Sequence, residues 1–174
     1  MRIPFLKRED VLPPLEDEEC ERMLAAANSK LRLALLVGLN SGISQSELLS
    51  LRKSDLDMAA RTMYVPLKSG AVRRVVLPYP TMQKLNDYAY QQDGLYLFDF
   101  PAGSMTKLIS DVGVRCGIKL SWQRIRSTYI RNAAKAGVPI LTCAHNVGTN
   151  PANIKHYYVL TPEQERFLID KISD

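Results

Sequence analysis

Positively charged residues are concentrated in one stretch of the sequence, between Phe100 and Leu160. This stretch holds eight lysines and arginines against a single acidic residue, Asp111. The eight are Lys107, Arg115, Lys119, Arg124, Arg126, Arg131, Lys135 and Lys155. A face that binds a polyanion needs a concentrated positive field, because each neutralised phosphate releases condensed counterions. The pattern favours contact with nucleic-acid phosphates, although a basic surface that only confers solubility would have the same composition.

Taken singly, the candidate functional side chains have ordinary structural explanations. A lysine in a turn, such as Lys68, is most often solvated, and neighbouring tyrosines such as Tyr157 and Tyr158 most often anchor a helix in a core. His145 would usually be packed or on the surface, and Arg126 could be surface charge alone. A functional interpretation therefore depends on the joint order of these residues along the chain.

The length and composition are those of a globular chain. Of its 174 residues, 46% are hydrophobic and 24% are charged, and there is no low-complexity tract. The three cysteines, Cys20, Cys116 and Cys143, are far apart, which predicts neither a disulfide framework nor a zinc site. The apolar stretch at 31–39 is interrupted by Arg32 and is too short to cross a bilayer, and no signal-peptide pattern opens the sequence. We therefore expect a cytoplasmic protein without a metal, a cofactor or a membrane segment.

Apolar periodicity and capping residues predict a mainly helical fold. Acidic residues mark the start of a helix at 16–26, and Gly42 marks the end of a buried helix at 30–40. Ser46 is predicted to cap a short helix, and the aspartates at 55–57 indicate the turn that follows it. Further helices are predicted at 80–90, 104–116, 122–136, 141–146, 151–159 and 162–172.

Two short runs rich in β-branched residues predict a hairpin. They are "TMYVPL" and "AVRRVVLP", separated by Lys68, Ser69 and Gly70. The run "GLYLFDF" at 94–100 is a candidate third extended segment. The predicted fold class is a single α+β domain over 1–174, mainly α with a small antiparallel β-sheet.

Four strings, in this order, resemble the catalytic domain of the tyrosine recombinases, the phage-integrase type. "LALLVGLNSGISQSELLSLRKSDLD" is similar to the family's helix, Thr-Gly-Leu-Arg and Glu-Leu-Leu segment, and "VPLKSGAVRRVVLP" to its Lys-Thr-Gly hairpin. "LSWQRIRSTYIRNAAKAGVPI" is similar to its His-x-Leu-Arg-His-Thr helix, and "CAHNVGTNPANIKHYYVL" to its Leu-Gly-His to Tyr segment. The resemblance spans essentially the whole chain and implies the family's DNA breaking and rejoining fold.

In that family a tyrosine oxygen attacks a DNA phosphodiester and leaves a 3′-phosphotyrosyl link and a free 5′ hydroxyl, without a metal or ATP. Two arginines neutralise the charge that develops on the phosphate, and a hairpin lysine protonates the leaving oxygen. Arginine suits this task because its planar guanidinium binds two oxygens at once. The function implied is site-specific recombination or DNA integration.

The resemblance assigns a catalytic role to several residues of this chain. Lys68 matches the hairpin lysine, Arg126 the second arginine, and His145 the histidine of the Leu-Gly-His motif. Tyr157 matches the nucleophile, with Tyr158 as the alternative, because the interval from His145 is longer than the family's usual spacing.

Two positions depart from the family pattern. The first arginine falls on Ser44, which cannot neutralise a phosphate, and the histidine or lysine three residues before Arg126 is Gln123, which cannot titrate. Loss of one preorganised donor costs on the order of 10²–10³ in rate, so the sequence predicts weak or lost strand transfer. Four arginines are candidates to replace the missing one: Arg32, Arg52, Arg73 and Arg124.

The resemblance implies double-stranded DNA as the partner. Arg73, Arg124, Arg131 and Lys155 are the candidate phosphate contacts, and the C-terminal helix at 162–172 is the candidate for self-association. The family's N-terminal core-binding domain, which clamps the other side of the DNA, is absent from the predicted organisation.

Three functional hypotheses follow. The first is a DNA-binding recombinase-fold protein whose strand transfer is weak, lost or dependent on compensation. The second is a competent integrase that obtains its first arginine elsewhere, and the third is a helical interaction or regulatory protein that has lost DNA. Salt-dependent binding to duplex DNA separates the first two from the third, and a covalent adduct separates the second from the first.

Overall fold

The computed structural model describes residues 11–67 and 69–173. Eight α-helices lie in this part of the chain: α1 Asp17–Ala26, α2 Ser29–Ser41, α3 Gln45–Ser50, α4 Tyr79–Tyr90, α5 Ser104–Cys116, α6 Trp122–Lys135, α7 Ile140–Val147 and α8 Pro162–Asp170. Three strands, β1 Leu56–Asp57, β2 Thr62–Pro66 and β3 Val72–Val76, form one antiparallel sheet in the order β1-β2-β3. The mainly α fold with a small antiparallel sheet is therefore confirmed.

Short polar side chains start the helices that carry the site. Asn28 accepts the amide of Leu31 at the start of α2, and Ser121 accepts that of Arg124 at the start of α6. Such caps satisfy amides that have no partner within the helix. Gly42 then ends α2 in the left-handed region at φ 67°, where a glycine carries little steric cost.

The predicted hairpin is confirmed, and its register places one charged residue inward. Met63 pairs with Val75 and Val65 pairs with Arg73, and all four of these side chains are buried. Arg73 is 6% exposed, so this strand contributes a guanidinium to the interior face of the sheet. Side chains alternate between the two faces of a strand, which leaves Arg74 exposed.

The largest core lies between the sheet and helices α1, α2, α4 and α5. A smaller cluster joins α6 and α7 to the segment after α7 through residues that include Ile130, Cys143, Val147 and Ile154. Trp122 links α6 to the segment between α2 and α3, because its Nε1 donates to the carbonyl of Ile43 at 2.9 Å. None of the described helices is both long enough and apolar enough to cross a lipid bilayer.

The prediction of a third extended segment at 94–100 is wrong. These residues form only an isolated bridge between Tyr96 and Arg52, and the third strand is instead Leu56–Asp57, where a turn was expected. Leu97 and Phe98 are buried, and Phe98 stacks on Tyr88. The apolar run therefore fills the core and does not pair along a strand.

One predicted helix and one predicted helix cap also differ from the structure. The prediction of an α-helix at 151–159 is wrong, because the chain forms two short 3₁₀ segments, Pro151–Asn153 and Lys155–Tyr158. Asn150 accepts the amide of Ala152 at 2.9 Å and so caps the first of these segments on its own. The residue that caps α3 is Ser44, two positions before the predicted Ser46.

Candidate functional site

Arg126 lies in the first half of α6 and joins two neighbouring helix ends. Its Nε donates to the carbonyl oxygen of Gly42 at 2.9 Å, and its Nη2 donates to that of Val147 at 2.9 Å. Burial lowers the pKa of Arg126 from its usual value, whereas the Glu47 carboxylate acts in the opposite direction. Because an arginine keeps its charge in proteins, this anchored side chain is a fixed cation.

Arg126 also borders a cleft of about 760 Å³. Gln123, one turn earlier on α6, lines the same cleft, and so do His156 and Tyr157 on the second 3₁₀ segment after α7. The structure therefore brings together three of the predicted site positions, Gln123, Arg126 and Tyr157.

The two candidate tyrosines lie in different surroundings. Tyr157 is half-buried and borders the cleft. The Tyr158 hydroxyl is buried and has no hydrogen-bond partner within the described part of the chain. Burial raises the pKa of Tyr158, and the neighbouring Cys143 thiol adds to that shift. Tyr158 is not among the described residues that line the cleft, whereas Tyr157 is.

His145 lies on α7 beside the hairpin. Its Nε2 is 3.0 Å from the carbonyl oxygen of Arg74, and because a carbonyl only accepts, Nε2 carries the proton in this bond. His145 is exposed and is not among the described residues that line the cleft with Arg126. The structure thus places His145, on α7, against β3, and β3 is the strand that follows Lys68 in the sequence.

Lys68 itself lies outside the described residues. Of the residues on either side, the Leu67 amide donates to Ala71 O at 2.8 Å and the Gly70 amide donates to Leu67 O at 3.0 Å. Gly70 has φ 84°, in the left-handed region that glycine adopts readily.

Ser44, which the sequence analysis aligned with the family's first arginine, caps α3. Its hydroxyl accepts the Glu47 amide at 3.2 Å, and its own amide donates to Glu47 Oε2 at 2.8 Å. The same carboxylate receives both terminal nitrogens of Arg73, at 2.9 and 2.8 Å. Burial raises the pKa of Glu47, but the Arg73 and Ser44 hydrogen bonds outweigh it and hold that pKa below its usual value. One carboxylate therefore links the Ser44 position to Arg73.

Arg73 is close to Arg126. A Cβ atom built on Gly148 would lie 2.6 Å from Arg73 Nη1, and the preceding carbonyl, that of Val147, accepts from Arg126. The two guanidinium groups thus lie at adjacent residues, Val147 and Gly148.

The other candidate replacement arginines are engaged elsewhere. Arg32 donates to the carbonyls of Leu24 and Ala27, and Arg52 lies over the Tyr96 ring. Of the four replacement candidates, Arg73 is therefore the one whose contacts lead to the Val147–Gly148 segment that Arg126 holds.

Two of the predicted DNA contacts serve as internal struts. Arg124 is 8% exposed and donates to Pro13 O, Lys119 O and the Glu19 carboxylate. Arg131 has its guanidinium on Glu16 Oε1 and on a neighbouring backbone carbonyl. Both arginines hold the segment before α1 against α6.

Lys155 has a different environment from these two arginines. It is exposed and lies in the same 3₁₀ segment as His156 and Tyr157. Its ammonium group is therefore available to solvent beside the cleft.

His156 is a cleft residue that the sequence analysis did not select. It directly precedes Tyr157, and the two ring centroids are 4.2 Å apart. The adjacency of a titratable side chain to the candidate nucleophile was the available signal. No group of three or more His, Cys, Asp or Glu residues within 11–67 and 69–173 could hold a metal ion.

Comparison with solved structures finds the same fold in proteins of low sequence identity. The XerA recombinase matches with a TM-score of 0.75 and 21% identity, over 100% of this chain and 70% of that chain. The Tn1549 transposon integrase in complex with a circular intermediate DNA matches with a TM-score of 0.73 and 18% identity, over 95% and 68%.

The catalytic domain of bacteriophage HP1 integrase matches with a TM-score of 0.72 and 19% identity, over 92% of this chain and 95% of that domain. A search of curated protein sequences found no match. The family model described as "Phage integrase family" matches residues 14–163. Since this match covers most of the sequence, and the fold agrees, the chain belongs to the phage integrase family.

Proposed function

We propose that this chain binds duplex DNA and acts as a tyrosine recombinase of the integrase type, with Tyr157 as its nucleophile. The observation that carries the proposal is the shared cleft, in which Arg126 and Tyr157 both line the wall. A phosphate in that cleft would meet a fixed cation and a phenol together. Such an enzyme works where the DNA is, so the proposed location is the cytoplasm.

In the proposed reaction the Tyr157 hydroxyl gives its proton to a base as its oxygen forms a bond to phosphorus. The bond from phosphorus to the 5′ oxygen breaks, and the leaving oxygen takes a proton from Lys68. Arg126 neutralises the nonbridging oxygens as their negative charge grows. His145, on the hairpin side of the domain, is proposed to orient the β3 segment through its bond to Arg74 O.

Ser44 and Gln123, which stand where the family has charged or titratable residues, support the proposal of reduced strand-transfer activity. Ser44 offers one neutral hydroxyl, and that hydroxyl already caps α3. Gln123 lines the cleft but cannot move a proton near neutral pH. Since one lost donor costs on the order of 10²–10³ in rate, we propose slow strand transfer. Because Glu47 neutralises Arg73, a DNA-binding protein without strand transfer is the second candidate.

The proposed DNA contacts are revised by burial. Lys119 lines the cleft and Lys155 lies on the segment that borders it, and both are exposed. These two lysines are proposed to meet backbone phosphates, whereas Arg73, which is buried and paired with Glu47, is proposed to act within the domain. Arg124 and Arg131 are proposed to support this surface from within. Exposed apolar side chains on α8 and after it, Phe167, Leu168, Ile169 and Ile172, support self-association with a second copy of this chain.

A nicked suicide substrate tests the strand-transfer proposal. Loss of the short cleaved fragment prevents religation, so a covalent adduct accumulates and can be seen as a shifted band on a denaturing gel. Tyr157→Phe should abolish the adduct and Tyr158→Phe should retain it. An adduct that survives Tyr157→Phe contradicts the assignment of the nucleophile. DNA binding without any adduct favours the second candidate.

A further inference from the structure

His156 is the one histidine among the described residues that line the cleft. The chain has two histidines, and the other, His145, is bonded through Nε2 to Arg74 O. His156 is exposed, lines the cleft with Arg126, and has its ring against that of Tyr157.

The proposed reaction needs a proton acceptor at this place. A phenol has a pKa near 10, so a tyrosine nucleophile must lose its proton to a base as it attacks. Gln123 cannot accept that proton, and no carboxylate lies among the described residues that line the cleft.

The charged groups around His156 are cations that cannot serve as this base. Arg124 and Arg126 face the cleft from α6 and Lys119 from the segment before it. Lys155 precedes His156 on the same 3₁₀ segment, and Arg124 is neutralised by Glu19. A neutral imidazole is therefore the available acceptor, since arginine and lysine are protonated at neutral pH.

We propose that His156 accepts the proton of the Tyr157 hydroxyl during attack on DNA, the task that Gln123 cannot perform. The inference rests on the proposed function. As the Tyr157 oxygen bonds to phosphorus, its proton passes to a ring nitrogen of His156, while the departing 5′ oxygen takes its proton from Lys68. Religation reverses both transfers.

The first test needs no turnover. In a His145→Gln background, the remaining imidazole can be titrated by proton NMR without ambiguity. Tyr157→Phe should shift the titration midpoint of His156, because it removes a polar neighbour, whereas Tyr158→Phe should leave it unchanged. An unchanged His156 titration in Tyr157→Phe would overturn the inference.

The second test measures the pH dependence of adduct formation, in the native chain and in a Ser44→Arg background. The rate should rise as pH increases through the His156 titration midpoint, because the neutral imidazole is the base. His156→Gln should lower the rate on the order of 10²-fold and flatten the profile, and adding Gln123→His should restore both.

A rate that falls as His156 loses its proton, or a profile that His156→Gln leaves unchanged, would overturn the inference. If no variant forms an adduct on any substrate, the strand-transfer proposal fails. The NMR titration then still decides whether His156 and Tyr157 interact.

Discussion

Arg73 on β3 and Glu47 on α3 form a two-point ion pair, with Nη1–Oε1 and Nη2–Oε2 distances of 2.9 and 2.8 Å. The side chains are 7% and 19% exposed. The same carboxylate accepts the Ser44 amide. A charge left in such a place without its partner is strongly destabilising, so this pair holds α3 against the sheet beside Arg126.

Glu47→Gln should lower the free energy of unfolding at pH 7 on the order of 3 kcal/mol, because Arg73 would remain buried without its counter-charge. The folded-state pKa of Glu47 lies below its usual value. Its stabilisation is therefore complete above the unfolded pKa of about 4.3 and is lost as pH falls through the folded pKa. Urea unfolding at several pH values measures both effects. An acid-induced loss of the same size in Glu47→Gln would contradict this account.

Ser44→Arg should increase covalent adduct formation on a suicide substrate. A guanidinium at this position would restore a charge-assisted clamp on the phosphate, where Ser44 has one hydroxyl. Gln123→His should increase it further. Loss of the α3 cap costs about 1 kcal/mol, so the thermal unfolding of each variant has to be measured alongside.

Ser44→Ala is the matched control, since it removes the same cap without adding a charge. Tyr157→Phe in the Ser44→Arg background should abolish the adduct. If the Ser44→Arg and Gln123→His double variant folds and binds DNA but forms no adduct on a range of nicked sites, the alignment of Ser44 with the first arginine is contradicted.

Tyr158→Phe should leave stability at pH 7 unchanged or raise it slightly, because the hydroxyl it removes is buried and has no hydrogen-bond partner among residues 11–67 and 69–173. Burial raises the pKa of Tyr158. The native protein should therefore lose stability as pH rises above the unfolded value of about 10, and Tyr158→Phe should lose less. Thermal unfolding between pH 8 and 11 would show this difference, and equal curves for the two proteins would argue against it.

Duplex DNA should bind without strong sequence preference and weaken steeply with salt, because backbone phosphates supply the contacts. Lys155→Ala should reduce the slope of log K against log salt by about 0.9. Arg124→Ala is the contrasting variant, since Arg124 is buried and bonded within the protein, and it should lower stability instead. Fluorescence anisotropy at several salt concentrations tests both, and binding that is insensitive to salt would favour the interaction-protein hypothesis.

The apolar side chains of α8 should drive self-association at high concentration. Phe167 is 63% exposed and Ile169 is 57% exposed, and burying such groups between two copies would remove apolar surface from water. Phe167→Ser with Ile169→Ser should shift sedimentation toward the monomer. Glu163→Ser, on the same helix, is the control, and sedimentation that is unchanged in the double variant would exclude this surface.

Local sequence patterns predicted most of the helices and the hairpin, because periodicity and caps act within a few residues. The pattern failed at 94–100, where an apolar run fills the core, since burial and strand pairing use the same residue types. The helix prediction failed at 151–159 because Asn150 caps a separate 3₁₀ segment, Pro151–Asn153.

The site was only partly predictable for a related reason. Charge shows in a sequence but burial does not, so Arg124 was selected as a surface contact although it is an internal strut. The Arg73–Glu47 pair joins residues 26 apart, and no local pattern encodes that distance. The family motifs selected Arg126 and Tyr157 as candidates but gave no reason to select His156, which the fold brings to the same cleft.

The Arg126 side chain donates to carbonyl oxygens at the ends of two helices. Gly42 directly follows α2, and Val147 is the last residue of α7. Both carbonyls lie at the negative end of a helix dipole, where a cation is favoured. A DNA phosphate that drew the guanidinium toward itself would leave both ends without their donor. Amide hydrogen exchange in the final turns of α2 and α7 should then become faster together when DNA binds. Faster exchange at both helix ends would therefore report one event, the movement of the Arg126 guanidinium to the phosphate.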